Sequence, residues 1–391
     1  MKIIQVHNYY QQPGGEDQVF AAESSMLEKH GHRVFRYTVH NDCITGMNSL
    51  ELARCTVWNK AIARELRELT LKVRPDVIHF HNTFPLISPS AYYAAKTERI
   101  PVVQTLHNYR LLCPNALFFR EDKVCEDCMG KLVTWPGVFH KCYRKSRLAT
   151  SVTAAMLSMH NLLHTYKRMV DVYIVLADFA RNKFIQGGLS SKKIVVKPNF
   201  IDSDPGKGEG RGGYALFVGR LTQEKGINTL LAAWEKIDGK IPLKIVGDGS
   251  LAAQLGEASK RISGVEWLGL QTREQVLDLM KDAMVFIFPS KSYETFGMTI
   301  VEAFSVGLPV IASNLGSMSS MIEHGHTGLH FRPGDSVDLA EKVVWAINHP
   351  KELARMRFEA RQEYLAKYTA ELNYKMLMNI YEKAIGRAKN N

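Results

Sequence analysis

A chain of 391 residues is long for one compact core and comfortable for two domains. With 46% hydrophobic and 23% charged residues it has an ordinary globular composition, which excludes a disordered or fibrous protein. A net charge of +11 admits nucleic acid, anionic membranes or phosphorylated ligands as partners. The opening MKIIQVHNYY lacks the apolar core and cleavage site of a secretion signal. The longest apolar stretches, residues 284–288 and 308–312, fall far short of a bilayer span, so a cytoplasmic location is expected.

Short apolar strands alternate with helical patterns in both halves, which predicts an α/β protein with parallel sheets. In the first half, strands are expected at 2–6, 33–38, 76–80, 102–106, 172–176 and 193–197, and helices at 17–30 and 50–72. The Gly-, Asp- and Pro-rich stretch 201–213, IDSDPGKGEGRGG, has the composition of a linker and ends a first domain of residues 1–200. A second series follows, with strands at 214–218, 243–246, 265–267, 284–288 and 309–311 and closing helices at 337–348, 352–367 and 372–388. Ligands of open parallel sheets bind beyond the carboxyl ends of the strands, so the residues just after each strand are the ones to inspect.

Behind the strand 214–218 stands Gly219-Arg220-Leu221-Thr222-Gln223-Glu224-Lys225-Gly226. Arg220 is a bidentate phosphate donor and Lys225 a point charge, and the helix that follows offers free amides, so this loop suits a diphosphate. The alternative, two exposed loop cations, fits the strand–loop–helix setting less well. Gly247-Asp248-Gly249 reads as an ordinary turn. The sharpest motif is Ser290-Lys291-Ser292-Tyr293-Glu294-Thr295-Phe296-Gly297-Met298, which leads into a helix from about Thr299 that carries Glu302. Amides of Thr295, Phe296, Gly297 and Met298 could receive a phosphate, Glu302 ribose hydroxyls, and Glu294 hydroxyls of a sugar. The plainer reading makes Glu294 a loop carboxylate and Glu302 a helix-surface residue.

In the first half, Pro13-Gly14-Gly15-Glu16 follows the first strand and His107 follows the fourth, where an imidazole can serve a sugar or a developing negative charge. His79 and His81 read as structural. Cys113, Cys125, Cys128 and Cys142 lie close together, and Cys125-x2-Cys128 has the spacing of a metal knuckle. Two readings stand: a structural zinc, or four thiols in an acceptor-side loop. Residues 141–170 contain six Lys/Arg (Lys141, Arg144, Lys145, Arg147, Lys167 and Arg168) and no acid, interleaved with Leu and Met. A helix on an anionic membrane and a solvated basic face both fit.

Taken together, Gly14–Gly15, His107, Arg220 with Lys225, and the Glu-x7-Glu spacing from Glu294 to Glu302 resemble family 4 of the retaining glycosyltransferases, which have the GT-B fold of two Rossmann-like domains facing across a cleft. The resemblance runs over nearly the whole chain. It implies a first, acceptor-side domain (1–200) with a cysteine-containing insert at 108–147, a nucleotide-sugar domain at 214–368, and a final helix, 369–391, returning to the first domain. Arg220 and Lys225 would neutralise the donor diphosphate. Glu302 would hold the ribose, Glu294 the transferred sugar, and Gly15 would let its loop approach the diphosphate. Gly219 and the amides of 295–298 would line the donor site, and His107 would contact the sugar. The implied acceptor is a glycan or lipid-linked glycan, at the inner face of the membrane. No metal is required for catalysis on this reading, and no nucleic acid is expected, since no recognised nucleic-acid motif is present. Where the family commonly has Gly or Pro after the first Glu, this chain has Thr295, which bears on the choice of sugar. Two other readings remain: a sugar-nucleotide epimerase of the same fold, for which no acid–base pair is evident, and a non-enzymatic nucleotide- or nucleic-acid-binding protein.

Overall fold

The computed structural model describes residues 1–12 and 14–389. They form two compact units: one of Met1–Phe118, Glu126–Asn199 and the chain from Glu371 on, the other of Phe119–Cys125 and Phe200–Ala370.

The first unit holds a parallel sheet of β1 (Lys2–Tyr9), β2 (Arg33–His40), β3 (Val77–Phe80) and β4 (Val102–Thr105). The two-residue strands β5 (Phe119–Arg120) and β6 (Lys123–Val124) pair as an antiparallel hairpin. The first sheet is completed by β7 (Val172–Val175) and β8 (Ile194–Val196). Its strand order is β2-β1-β3-β4-β7-β8. In the second unit, β9 (Ala215–Val218), β10 (Leu243–Val246), β11 (Val265–Trp267), β12 (Val285–Phe288), β13 (Val310–Ser313) and β14 (Gly328–Phe331) form a parallel sheet ordered β11-β10-β9-β12-β13-β14. Strands such as VIHF (β3) and VFIF (β12) are buried on both faces, as helices covering both sides of a parallel sheet require.

Three local features differ from the sequence reading. The expected helix at 50–72 is two helices, Ser49–Val57 and Lys60–Val73, because Asn59 leaves the helical path to cap the second, accepting from the Ile62 amide. Its own amide donates to Ser88 Oγ and its Nδ2 to the Leu86 carbonyl. The stretch 201–213 is no loose tether. Amides of Gly208, Gly210 and Gly212 donate to carbonyls of Val306, Lys281 and Asp282, and Arg361 pairs with Asp204. β14, whose LHF follows a Thr-Gly turn, had no sequence expectation at all.

Trp234 anchors the second unit's core. It is fully buried among Leu230, Ile237, Leu243 and Ile245, and its indole N–H donates to the Ile241 carbonyl. In the first unit, the last helix, Ala370–Lys389, buries Leu377, Ile380, Tyr381 and Ala384. Tyr374 stacks on His30 at 3.6 Å, Asn373 accepts from Lys197 Nζ at 2.8 Å, and the Tyr381 hydroxyl meets His79 Nδ1 at 2.9 Å. Tyr381→Ala should therefore lower the stability of the first unit by about 3–5 kcal/mol. Tyr381→Phe, which loses only the hydroxyl, should cost about 1–2 kcal/mol. Urea unfolding read at the first unit's transition distinguishes the two. Equal, negligible effects would mean that the helix does not stabilise the unit.

Candidate active site

Both sheets have a place where strand order reverses beside the first strand: between β9 and β12 in the second unit, and between β1 and β3 in the first. The connection after the first strand runs to one side and that after its neighbour across the reversal runs to the other, so the loops at these two carboxyl ends flank a crevice open to a ligand. In the second unit those loops are Gly219–Gly226 after β9 and Pro289–Gly297 after β12, the two motifs singled out in the sequence.

The two loops are stitched together. The Lys291 amide and the Ser290 hydroxyl donate to the Glu224 carbonyl at 2.8 and 3.1 Å. Lys225 Nζ lies 2.7 Å from Glu294 Oε1, and the Ser290 hydroxyl donates to the same oxygen at 2.7 Å. Close approach requires a glycine at 226. Its φ is +77°, and a methyl there would stand 1.9 Å from the Pro289 carbonyl oxygen. Gly247, read in sequence as part of a plain turn, has a similar duty: a methyl there would meet the Gly219 carbonyl at 1.9 Å, so the turn supports the Arg220 loop from behind. Arg220 is exposed. Ser317 Oγ donates to the Thr295 carbonyl at 3.2 Å, which holds the loop where the helix Met298–Ser305 begins with Gly297 as its N-terminal cap. Phe296 is buried and packs edge-on to Tyr368.

Glu302 is on this helix but not on its surface; it is 7% exposed. Burial pushes its carboxyl up to about 7, against the pull of Arg273, whose Nε is 3.9 Å away. Lys225 and Glu294 therefore form a paired charge, whereas Glu302 is a carboxyl close to its midpoint at neutral pH, a hydrogen-bonding group for a hydroxylated ligand.

In the first unit, Gly14 caps the helix Gly15–Lys29, and its amide donates to Asp17 Oδ2 at 2.7 Å. The other Asp17 oxygen lies 2.7 Å from His7 Nε2, and His7 stacks on Phe20. A methyl on Gly14 or Gly15 would meet no atom within 4 Å. The fold itself does not demand these two glycines, and the open space is of the kind a ligand uses. Pro13 of the sequence motif lies outside the described residues.

His107, just beyond β4, is held from behind. Its Nε2 lies 3.1 Å from His81 Nδ1, so one ring donates to the other and their tautomers are coupled. His81 Nε2 lies 3.2 Å from Glu23 Oε1 but off the hydrogen-bond direction. Glu23 is fully buried; His79 Nδ1 is 3.0 Å from one oxygen and Lys197 Nζ 3.1 Å from the other. Burial alone would raise the Glu23 carboxyl, but Lys197, His79 and His81 together hold it well below the ordinary range. Burial and the neighbouring His79 push His81 down to about 3, and burial with His81 drives His107 well below its usual value, so both rings are neutral at pH 7. Glu23, His79 and His81 have ligand atoms within 4.8 Å of one another, the spacing of a metal site. Lys197 already supplies the cation there, and both nitrogens of His79 are engaged, Nε2 with Thr105 Oγ1 at 2.7 Å. A hydrogen-bonded polar core suits this set better than a metal does.

Sequence reasoning placed His79 and His81 as structural, overlooked Glu23 and Lys197, and named Ser290 within the loop motif without giving it a role. The signal for Glu23 was present: it shares the apolar helix face with Phe20 and Leu27 at 3–4 residue spacing, where a charge needs a buried partner.

The buried Glu302 carboxyl has a consequence for stability. Its folded pKa lies above the ordinary 4.5, so the fold favours the protonated form. That contribution is full below pH 4.5 and is lost as pH rises through about 7. The shift corresponds to about 3 kcal/mol. Relative to Glu302→Gln, which keeps the shape and cannot ionise, the wild-type protein should lose thermal stability between pH 5 and 8. Parallel melting curves for the two across that window would refute the assignment.

A sequence profile described as "Glycosyltransferase Family 4" matches residues 13–205, and one described as "Glycosyl transferases group 1" matches residues 202–363. An uncharacterised glycosyltransferase of Methanocaldococcus jannaschii is 28% identical over 215 residues, 54% of this chain and 60% of the relative. The D-rhamnosyltransferase WbpZ of Pseudomonas aeruginosa is 32% identical over 161 residues, 40% of this chain and 42% of the relative. The matched stretch thus spans less than two thirds of each of these relatives. Among solved structures, Anabaena HepE in complex with UDP superimposes with a TM-score of 0.69 at 18% identity, covering 98% of this chain and 100% of that one. Two consecutive profiles that together run from residue 13 to 363, and a fold shared over the full length, place this chain in family 4 of the glycosyltransferases, with the GT-B fold.

Proposed function

We propose that the protein is a retaining glycosyltransferase that moves a hexose from a nucleoside-diphosphate sugar to a glycan or lipid-linked glycan, in the making of a cell-surface polysaccharide or lipopolysaccharide. The observation that carries this reading is the Lys225–Glu294 pair at the strand-order reversal of the second unit, next to exposed Arg220 and the start of the helix that bears Glu302.

Breaking a sugar–diphosphate bond leaves an oxocarbenium-like sugar and a leaving group that gains negative charge. Fixed positive charge at that leaving group is the largest service a protein can supply. Arg220 and Lys225 take this role, with the amides of Gly219 and of Thr295, Phe296, Gly297 and Met298 on the phosphates and sugar. Glu294 accepts from sugar hydroxyls while holding the Lys225 ammonium in place, and Glu302 accepts from the ribose. With two protein cations at the diphosphate, no divalent metal is called for. In the first unit, the open space beside Gly15 suits a ligand, and neutral His107 suits a sugar hydroxyl as a hydrogen-bonding group. Retention rests on the family reading. A uridine nucleotide is the first donor to try, since HepE is described with UDP.

Contact with an anionic membrane also belongs to this proposal. Lys141, Arg144, Lys145 and Arg147 are exposed, and Trp135, Phe139 and Leu148 expose apolar side chains beside them in sequence. Cations with exposed aromatic and aliphatic groups suit a lipid surface. An apolar groove of about 480 Å³ between the helices Ser49–Val57 and Arg147–Leu162, lined by Leu50, Ala53, Val57, Trp58, Val152 and Ala155, could shelter part of an acyl or polyprenyl chain. No described helix is long and apolar enough to cross a membrane.

The test is release of nucleoside diphosphate from UDP-, GDP- and ADP-sugars, with and without a membrane lipid extract and without added divalent metal. One donor should turn over, more so with lipid, and NMR of the product should show the anomeric configuration of the donor. Lys225→Ala should lower kcat about 10²–10³-fold, and Glu294→Ala should act in the same direction. Inversion would overturn the retaining assignment, and no turnover or binding of any sugar nucleotide would overturn the transferase reading itself.

A further inference from the structure

A charge pair buried in the first unit stands behind His107, and the transfer chemistry gives it no task. Glu23 and Lys197 are each only 1% exposed. An ion pair buried this deeply adds little to stability over apolar side chains of the same size. What it can do is fix the polar groups around it.

The groups around the Glu23 carboxylate are placed to donate. The Ser24 hydroxyl donates to Gln5 Oε1 at 2.5 Å, which turns the Gln5 amide nitrogen toward Glu23 Oε1, 3.2 Å away. Asn373 Nδ2 donates to the Pro198 carbonyl, which leaves Asn373 Oδ1 for Lys197 Nζ, and the same ammonium reaches Glu23 Oε2 at 3.1 Å. His79 Nδ1 and His81 Nε2 lie 3.0 and 3.2 Å from Glu23 Oε1. Such a shell suits an ionised acceptor, in agreement with a carboxyl held well below its ordinary range.

That carboxylate sets the proton on His81. A bare Nε2 would turn its lone pair on a carboxylate oxygen 3.2 Å away, in a buried setting that screens little. Nε2 therefore carries the hydrogen, although it points too far off line for a full hydrogen bond. The ring is neutral at pH 7, so Nδ1 is its bare nitrogen. His107 Nε2 lies 3.1 Å from that nitrogen, and the two ring planes are 18° apart, which suits an N–H···N bond lying along both rings. His107 is thus the donor, through Nε2. Being neutral as well, it has its lone pair at Nδ1.

We propose that Glu23, acting through His81, locks His107 in the tautomer protonated at Nε2, so that His107 meets the sugar as a hydrogen-bond acceptor at Nδ1. The partner this selects is a hydroxyl or an amide N–H. A phosphate oxygen or a carbonyl brings no hydrogen and is disfavoured there. Glu23 and His81 are positioning residues in this arrangement, and Lys197 keeps Glu23 ionised. The use of His107 toward a sugar rests on the transferase reading above; the tautomer does not.

Nitrogen NMR of the protein labelled at histidine reads each tautomer directly at pH 7, with the two rings picked out of the 14 histidines by their loss in His81→Gln and His107→Gln. Wild-type His81 and His107 should both show a protonated Nε2 and a bare Nδ1. A protonated Nδ1 on either ring would overturn the proposal, as would a metal that co-purifies with the protein and is lost in Glu23→Gln. Glu23→Gln, which removes the charge and keeps the size, should shift both rings toward the form protonated at Nδ1. With it, kcat/KM should fall about tenfold, the worth of one hydrogen bond. A folded Glu23→Gln protein with the wild-type histidine spectrum would remove Glu23 from the relay. If that variant does not fold, the wild-type spectrum still decides the direction of the His81–His107 bond. The expected tautomers in a protein that turns over no sugar nucleotide would count against the transferase reading and leave the tautomer assignment standing.

Discussion

The candidate site depends on one topological constraint: in each parallel sheet, the connections after the first strand and after its neighbour across the strand-order reversal run to opposite sides. The loops at these two carboxyl ends therefore flank a crevice, and they are the two that a ligand meets. The second unit, with order β11-β10-β9-β12-β13-β14, puts Arg220 and Lys225 on one of these loops and Glu294 on the other. The first unit, with order β2-β1-β3-β4-β7-β8, puts the Gly14–Gly15 turn and His81 in the corresponding places, with His107 one strand further along.

Topology places the loops only roughly. Hydrogen bonds and ion pairs give them geometry. In the second unit Glu294 takes both the Lys225 ammonium and the Ser290 hydroxyl on one oxygen, so the loop after β12 cannot shift without disturbing the cation of the loop after β9. In the first unit the equivalent anchor lies deeper. Glu23 and Lys197 are a buried ion pair, surrounded by His79, His81 and Asn373, and such a pair holds only when its remaining hydrogen-bonding capacity is met. The last helix meets part of it, through Asn373 and Tyr381. A helix far away in sequence thus contributes to the orientation of the His81–His107 pair.

The electrostatics divide by role. Groups suited to charged ligand atoms are exposed or ion-paired, as with Arg220 and Lys225. Groups suited to hydroxyls lie further from solvent: His107 is half-buried and neutral, and Glu302 is a buried carboxyl near its midpoint at pH 7.

By itself, the sequence determined the α/β class, the strand positions other than β5, β6 and β14, and the identity of the second unit's loops. Strand burial on both faces writes continuous apolar runs, and a cation pair or a Glu-x7-Glu spacing at the end of such a run is a local pattern. Local patterns also mislead: the periodicity of 50–72 hides the break at Asn59, and the glycines of 201–213 resemble a flexible tether although Gly208, Gly210 and Gly212 pack closely against Lys281, Arg357 and Tyr214. Only the tertiary structure decided that Glu302 is buried, that Lys225 pairs with Glu294 across 69 residues, and that Glu23, His81 and Lys197 support His107. Those facts depend on which strands become neighbours, and pairing between distant segments leaves no trace in the spacing of either one.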